Sequence, residues 1–129
     1  MSKEVIMDAS AILALLNEQP GHQRVEESLS QAITSSVNFA EVITVLTDVG
    51  LKSEEAASIT SALLTDIVSF DQQQALVSAS LRKLTRSHGL SFGDRACLSL
   101  AKQRGTLVLT ADKVWAKLHI PGVKIELIR

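Results

Sequence analysis

Val5-Ile6-Met7-Asp8-Ala9-Ser10-Ala11-Ile12-Leu13-Ala14-Leu15-Leu16 is the stretch on which the fold turns. Residues 5–7 make a short apolar run suited to a buried strand, and residues 9–16 an almost unbroken apolar run of helical length, with Asp8 at the handover. Burying an unpaired carboxylate costs several kcal/mol, so an acid in that place needs a partner. The setting recurs three times. Glu41 lies inside Asn38-Phe39-Ala40-Glu41-Val42-Ile43, Asp94 in Ser91-Phe92-Gly93-Asp94, and Asp112 at the end of Leu107-Val108-Leu109-Thr110-Ala111-Asp112. One cleft where all four acids converge on a divalent metal ion accounts for them together.

Outward from this stretch, short apolar runs alternate with helical patterns. That predicts an α/β fold whose crossover helices flank both faces of a central parallel sheet of about five strands. Strands are expected at residues 5–8, 32–35, 67–70, 106–109 and 123–127. Helices are expected at residues 11–16, 21–30, 37–49, 53–64, 72–87 and 92–104, with a short one at 113–118. Gly50, Gly89 and Gly105 each follow a helical pattern, where a left-handed residue ends a helix. Pro20 and Pro121 fall in connections, and no repeat or linker interrupts the sequence, so residues 1–129 are expected to form one domain.

A chain of 129 residues is long enough to bury roughly 65–70% of its unfolded surface. Hydrophobic residues are 46% and charged residues 21%, an ordinary globular mixture, and no apolar stretch approaches the roughly 20 residues of a membrane helix. Met1-Ser2-Lys3-Glu4 lacks the features of a signal peptide, which makes a cytoplasmic protein the expectation. The single cysteine, Cys97, has no internal disulfide partner and reads as a buried helix residue. With a net charge of −1, any affinity for phosphate must be local. Aromatics are only 3% of the chain, which leaves Trp115, Phe39, Phe70 and Phe92 as candidates for stacking on a base.

Ligands of open α/β sheets bind outside the carboxyl ends of the strands. Asp8 ends the first predicted strand and Asp112 stands just past the fourth, so parallel strands put both on one rim. Asp94 opens a predicted helix on a face shared with Cys97, Leu98 and Ala101, with Arg95, Ser99 and Lys102 facing outward and Gly93 leaving room for close approach. Each acid also has a plainer role. Asp8 and Asp112 suit helix N-caps, Ser91 and Asp94 have capping-box spacing, and Glu41 belongs to the stripe Asn38, Glu41, Thr44, Asp48 of a solvated helix face. Caps need not gather on one rim, however, and jointly the four acids favour a site.

Asp8-Ala9-Ser10, Asn38-Phe39-Ala40-Glu41, Gly93-Asp94-Arg95-Ala96 and Leu109-Thr110-Ala111-Asp112 together resemble the four acidic motifs of PIN-domain ribonucleases, most of all VapC-type toxins. The resemblance spans essentially the whole chain. Ala9 departs from it, because relatives more often carry Thr or Ser there, while Ser10 keeps a hydroxyl beside Asp8. It implies a single PIN-like domain in which Asp8, Glu41, Asp94 and Asp112 hold Mg²⁺ or Mn²⁺ and RNA phosphodiesters are hydrolysed. By the same resemblance the chain would form a homodimer and bind a VapB-type antitoxin that covers the cleft. Hard oxygen ligands suit Mg²⁺, and one or two such ions activate water and stabilise the leaving oxygen. Two carboxylates ~4 Å apart repel by ~4 kcal/mol at an effective dielectric of ~20, so ion binding should stabilise the fold.

Ser10 and Thr110 have hydroxyls suited to holding carboxylates or waters, and equally to bonding nearby backbone. Arg82 and Arg86, four apart on one predicted helix, suit a shared RNA phosphate contact or a solvated face. His22, His88 and His119 show no metal spacing, and Trp115 reads as packing for the last helix. Helices 37–49 and 53–64 carry Val42, Ile43, Val45, Leu46, Ile59, Leu63 and Leu64 on more than one side, either completing the core or leaving a groove for an amphipathic partner helix. A signalling receiver domain is the rival from another class, but it wants paired acids after the first strand and a late lysine. A haloacid-dehalogenase-like phosphatase wants Asp where Ser10 stands. An RNA-processing nuclease without a toxin role, or a PIN-fold binding module, completes the alternatives.

Overall fold

The computed structural model describes residues 3–129. Five short strands, β1 (Val5–Met7), β2 (Ala32–Ser35), β3 (Asp66–Val68), β4 (Leu107–Thr110) and β5 (Lys124–Leu127), form one sheet in the order β3-β2-β1-β4-β5. Every neighbouring pair is parallel, with Val5 opposite Ala32 on one side and Leu107 on the other. The chain leaves β1 toward β2 and β3, then returns to the opposite side for β4 and β5. The order therefore reverses between β1 and β4, which is where open sheets of this kind place a ligand crevice.

The helices are α1 (Ala9–Leu16), α2 (His22–Glu27), α3 (Ser36–Asp48), α4 (Ser53–Ala62), α5 (Gln72–Ser80), α6 (Arg82–Thr85) and α7 (Phe92–Arg104). Period-two alternation along the strands divides the core between the two faces of the sheet. Val5, Met7, Ala32 and Leu109 pack with Ala11, Ile12 and Ala14 of α1, Val25 of α2, and Val42 and Leu46 of α3. Ile6, Ile33 and Val108 pack instead with Cys97, Leu98, Leu100 and Ala101 of α7 and with Trp115. The expected α/β fold with a parallel five-stranded sheet and helices on both faces is what forms.

Several expectations are corrected in detail. The first strand stops at Met7 because Asp8 turns into the N-cap of α1. The third runs Asp66–Val68, ended by Phe70 N donating to Ser36 Oγ (3.0 Å) and by Asp71 capping α5. The helix expected at residues 72–87 divides at Leu81 into α5, α6 and a 3₁₀ turn (Arg86–His88). Ser80 Oγ donates to the Val77 carbonyl and Thr85 Oγ1 to the Leu81 carbonyl, so hydroxyls compete for the carbonyls that a continuous helix would use. Ser99, expected outside, is fully buried, and Arg95 is half-buried with Nη1 on the Ser78 carbonyl (3.2 Å), because α5 packs over that side of α7. Gly50, Gly89 and Gly105 all take positive φ, as helix ends require.

Gly21 is the position most intolerant of a side chain outside the site. Its φ is +93°, and a Cβ would press on the Ile128 carbonyl, whose carbon lies 2.8 Å away. Gly21→Ala is expected to destabilise the fold by about 1–3 kcal/mol from backbone strain alone, read as a lowered denaturation midpoint.

Candidate active site

Asp8 follows β1 at its carboxyl end and is only 5% exposed. Its Oδ1 accepts from Ser10 Oγ (2.7 Å) and from the Ala11 backbone N–H (2.8 Å), and its Oδ2 from Thr110 Oγ1 (2.6 Å). The two hydroxyls are themselves held. Ser10 Oγ accepts from Ala111 N (2.9 Å) and Thr110 Oγ1 from Asp112 N (3.1 Å), so the network joins the ends of β1 and β4 across the order reversal. Burial, with a smaller push from the nearby Asp94 charge, raises the Asp8 pKa from 3.8 to about 6 against those hydrogen bonds. The cap reading and the site reading of Asp8 describe the same atoms.

Glu41, on α3, meets the opposite flank. Its Oε1 accepts from Asn38 Nδ2 (2.7 Å), and the same Nδ2 donates to the Gly93 carbonyl (3.0 Å). A Cβ on Gly93 would collide with the Glu41 carboxylate, whose Cδ would lie 2.6 Å from it. The absent side chain at Gly93 is what lets α3 and α7 bring Glu41 beside the turn that carries Asp94. Asn38 is 1% exposed, which corrects its assignment to a solvated stripe; α7 covers that face of α3.

Asp94 and Ser91 form the expected capping box, with Asp94 Oδ2 accepting from Ser91 N (2.9 Å) and Ser91 Oγ from Asp94 N (3.1 Å). Burial raises the Asp94 pKa, and the charge of Asp112 pushes the same way. Asp112 caps the 3₁₀ turn Lys113–Lys117 through Oδ1 to Val114 N (3.1 Å). Beneath them, burial holds the Cys97 thiol well above its usual pKa, and the charges of Asp8, Asp94 and Glu41 all act on it in the same direction. No ion pair among the described residues involves any of the four acids.

The donor set fits a hard divalent cation. Asp8 has one of its roughly four acceptor positions uncommitted. Glu41, Asp94 and Asp112 each use one carboxylate oxygen for a hydrogen bond and leave the other without a protein donor among the described residues. Among those residues no three His, Cys, Asp or Glu side chains close into a metal cage. An open set of carboxylates suits an ion that keeps several waters and takes few protein ligands.

Arg82 and Arg86 are exposed on α6 and the following 3₁₀ turn, with no bond to the acids among the described residues. His22 pairs with Glu26 (Nδ1 to Oε1, 2.9 Å). Trp115 is fully buried and serves packing, whereas Phe92 is 51% exposed, with Phe70 edge-on at 5.5 Å. Of the apolar residues on α3 and α4, Val42 and Leu46 join the core while Val45, Val49 and Ile59 stay exposed. Asn38, which the sequence offers only as part of the Glu41 motif and of a solvated stripe, is the residue whose contact with that carboxylate the packing reveals. Its signal was its place three residues before Glu41, one helical turn away on the same face.

The PIN domain family matches residues 5–120, and the chain belongs to that family, one of nucleases. Among solved structures it is similar to DNA-bound VapBC from Salmonella typhimurium, with a TM-score of 0.72 and 21% identity over 98% of each chain. It is similar to a toxin-antitoxin complex from Klebsiella pneumoniae, with a TM-score of 0.72 and 20% identity over 93% of this chain and 95% of that one. FitAcB from Neisseria gonorrhoeae gives a TM-score of 0.66 and 22% identity over 94% and 95%. At these identities the likeness is one of fold. No curated protein sequence matches the chain. No helix of the described residues is long and apolar enough to cross a membrane.

Proposed function

We propose that this chain is a divalent-metal-dependent endoribonuclease, with Asp8, Glu41, Asp94 and Asp112 as its acidic centre, and the toxin of a toxin-antitoxin pair. The observation that carries the reading is Asp8: a buried carboxylate at the order reversal of the sheet, near a second acid, with no cationic side chain paired to it among the described residues. Ionising a carboxylate removed from water is costly without a partner of opposite charge, and a bound divalent cation would offset that cost.

In this reading the four acids hold Mg²⁺ or Mn²⁺, which when bound supplies Lewis acidity at a phosphoryl oxygen and a water made nucleophilic near neutral pH. Ser10 and Thr110 fix both oxygens of Asp8, so the carboxylate keeps one orientation. The capping bonds of Asp94 and Asp112 orient each group from its own backbone, leaving the second oxygen for the ion. Arg82 and Arg86, in no ion pair among the described residues, offer local positive charge to the RNA backbone.

Support for the toxin role comes from the Salmonella and Klebsiella neighbours, which are VapBC and toxin-antitoxin complexes. An antitoxin helix would lie on the exposed Val45, Val49 and Ile59 of α3 and α4, and a second copy of the chain completes a homodimer. The test is incubation of the purified chain with single-stranded RNA. Cleavage is expected with Mg²⁺ or Mn²⁺ and none with EDTA; intact RNA with both ions, or cleavage that persists in EDTA, overturns the reading.

A further inference from the structure

Asn38 sits one turn before Glu41 on α3, with its side chain removed from water. Both protons of its Nδ2 are used, one on Glu41 Oε1 and one on the Gly93 carbonyl, while its Oδ1 is buried without a partner among the described residues. Turning the amide over does not help. Oδ1 would then face the Glu41 carboxylate and the Gly93 carbonyl, both acceptors, so the hydrogen-bond chemistry dictates the orientation. A residue serving only to fill the α3–α7 interface would be apolar, because a buried oxygen left unpaired opposes folding. The fold tolerates that oxygen where the two donors are needed.

We propose that Asn38 is a positioning residue for the cation site, holding the Glu41 carboxylate at the ion and tying it to the turn that presents Asp94. This rests on the metal-dependent reading above. The Asn38 bond is the one hydrogen bond to the Glu41 carboxylate among the described residues, so without it the side chain is free to rotate. Partners that orient a metal ligand typically account for about 10- to 100-fold in metal affinity.

The experiment is calorimetric titration with Mn²⁺, without RNA, of the parent, Asn38→Ala, Glu41→Gln and the double variant. Asn38→Ala is expected to weaken Mn²⁺ binding about 10- to 100-fold. In the Glu41→Gln background the same change should add less than about twofold, because Asn38 acts through Glu41. An equal loss in both backgrounds marks a purely structural effect and overturns the proposal, as does unchanged affinity in the single variant. Should Asn38→Ala fail to fold, Asn38→Ser keeps a polar group in the space while being too short to reach Glu41, and the same cycle decides. A parent that binds no Mn²⁺ overturns the metal-dependent reading as well; a parent that binds normally with Asn38→Ala unaffected overturns this proposal alone.

Discussion

Asp8→Asn is expected to lower metal-dependent RNA cleavage by about 10³-fold or more, equivalent to ~4 kcal/mol of transition-state stabilisation, while making the metal-free protein more stable. The amide is nearly isosteric. Its oxygen can still accept from Ser10 and the Ala11 N–H, and its NH₂ can donate to Thr110 Oγ1 once that hydroxyl turns, so the link between β1 and β4 survives. What disappears is a charge held in a desolvated place. The folded pKa of Asp8, about 6, lies above the ordinary 3.8, so the folded state favours the protonated acid. That contribution is fully present below pH 3.8 and is lost as pH rises through about 6, leaving the ionised parent ~3 kcal/mol less favourable at neutral pH. Urea denaturation in EDTA should therefore show parent stability falling between pH 4 and pH 6 relative to Asp8→Asn, with the variant ahead at pH 7. Added Mn²⁺ should reverse the ranking by stabilising the parent through mass action. Equal cleavage by parent and variant, or a variant less stable than the metal-free parent at pH 7, would refute the assignment.

Much of this was legible in the sequence because its signals are local. The run from Val5 to Leu16, with one acid at its centre, specified a strand, a cap and a helix, and the alternation along the chain specified parallel strands with helices on both faces. The glycines at 50, 89 and 105 and the Ser91–Asp94 box were readable for the same reason, since each needs only neighbours within one helical turn. What escaped the reading depends on packing between distant segments. Nothing near Asn38 in sequence announces that Gly93, 55 residues away, will supply a carbonyl and a space beside it. Helical periodicity alone puts Ser99 and Arg95 on the outer side of α7, whereas α5 covers that second face, and hydroxyl-to-carbonyl bonds end α5 earlier than apolar periodicity suggests. The acids stand out as types in apolar settings, whereas the nearness of Asp8 to the turn after β4 depends on topology, since β1 and β4 are neighbours only after the chain has made its excursion through β2 and β3.

Gly93→Ala should separate stability from activity in the opposite way to a core mutation. Gly93 is the second residue of α7, where alanine improves helix propensity by about 0.5–1 kcal/mol. Its φ is not in the left-handed region, so the backbone accepts a side chain there without strain. The obstacle is Glu41: the new methyl group would occupy the space of its carboxylate, with Oε1 2.7 Å and Cδ 2.6 Å from the Cβ position. Between a helix backbone anchored in the core by Ala96, Cys97 and Leu98 and the end of a rotatable glutamate, the glutamate gives way. It moves off by an ångström or more and breaks its bond to Asn38. A displacement of that size costs about 10²-fold in a reaction that depends on placed groups. The expected result is a melting temperature unchanged or slightly raised in EDTA, together with RNA cleavage lowered about 100-fold and weaker Mn²⁺ binding. Cleavage at the parent rate in a folded Gly93→Ala protein would show that Glu41 does not act where the structure places it.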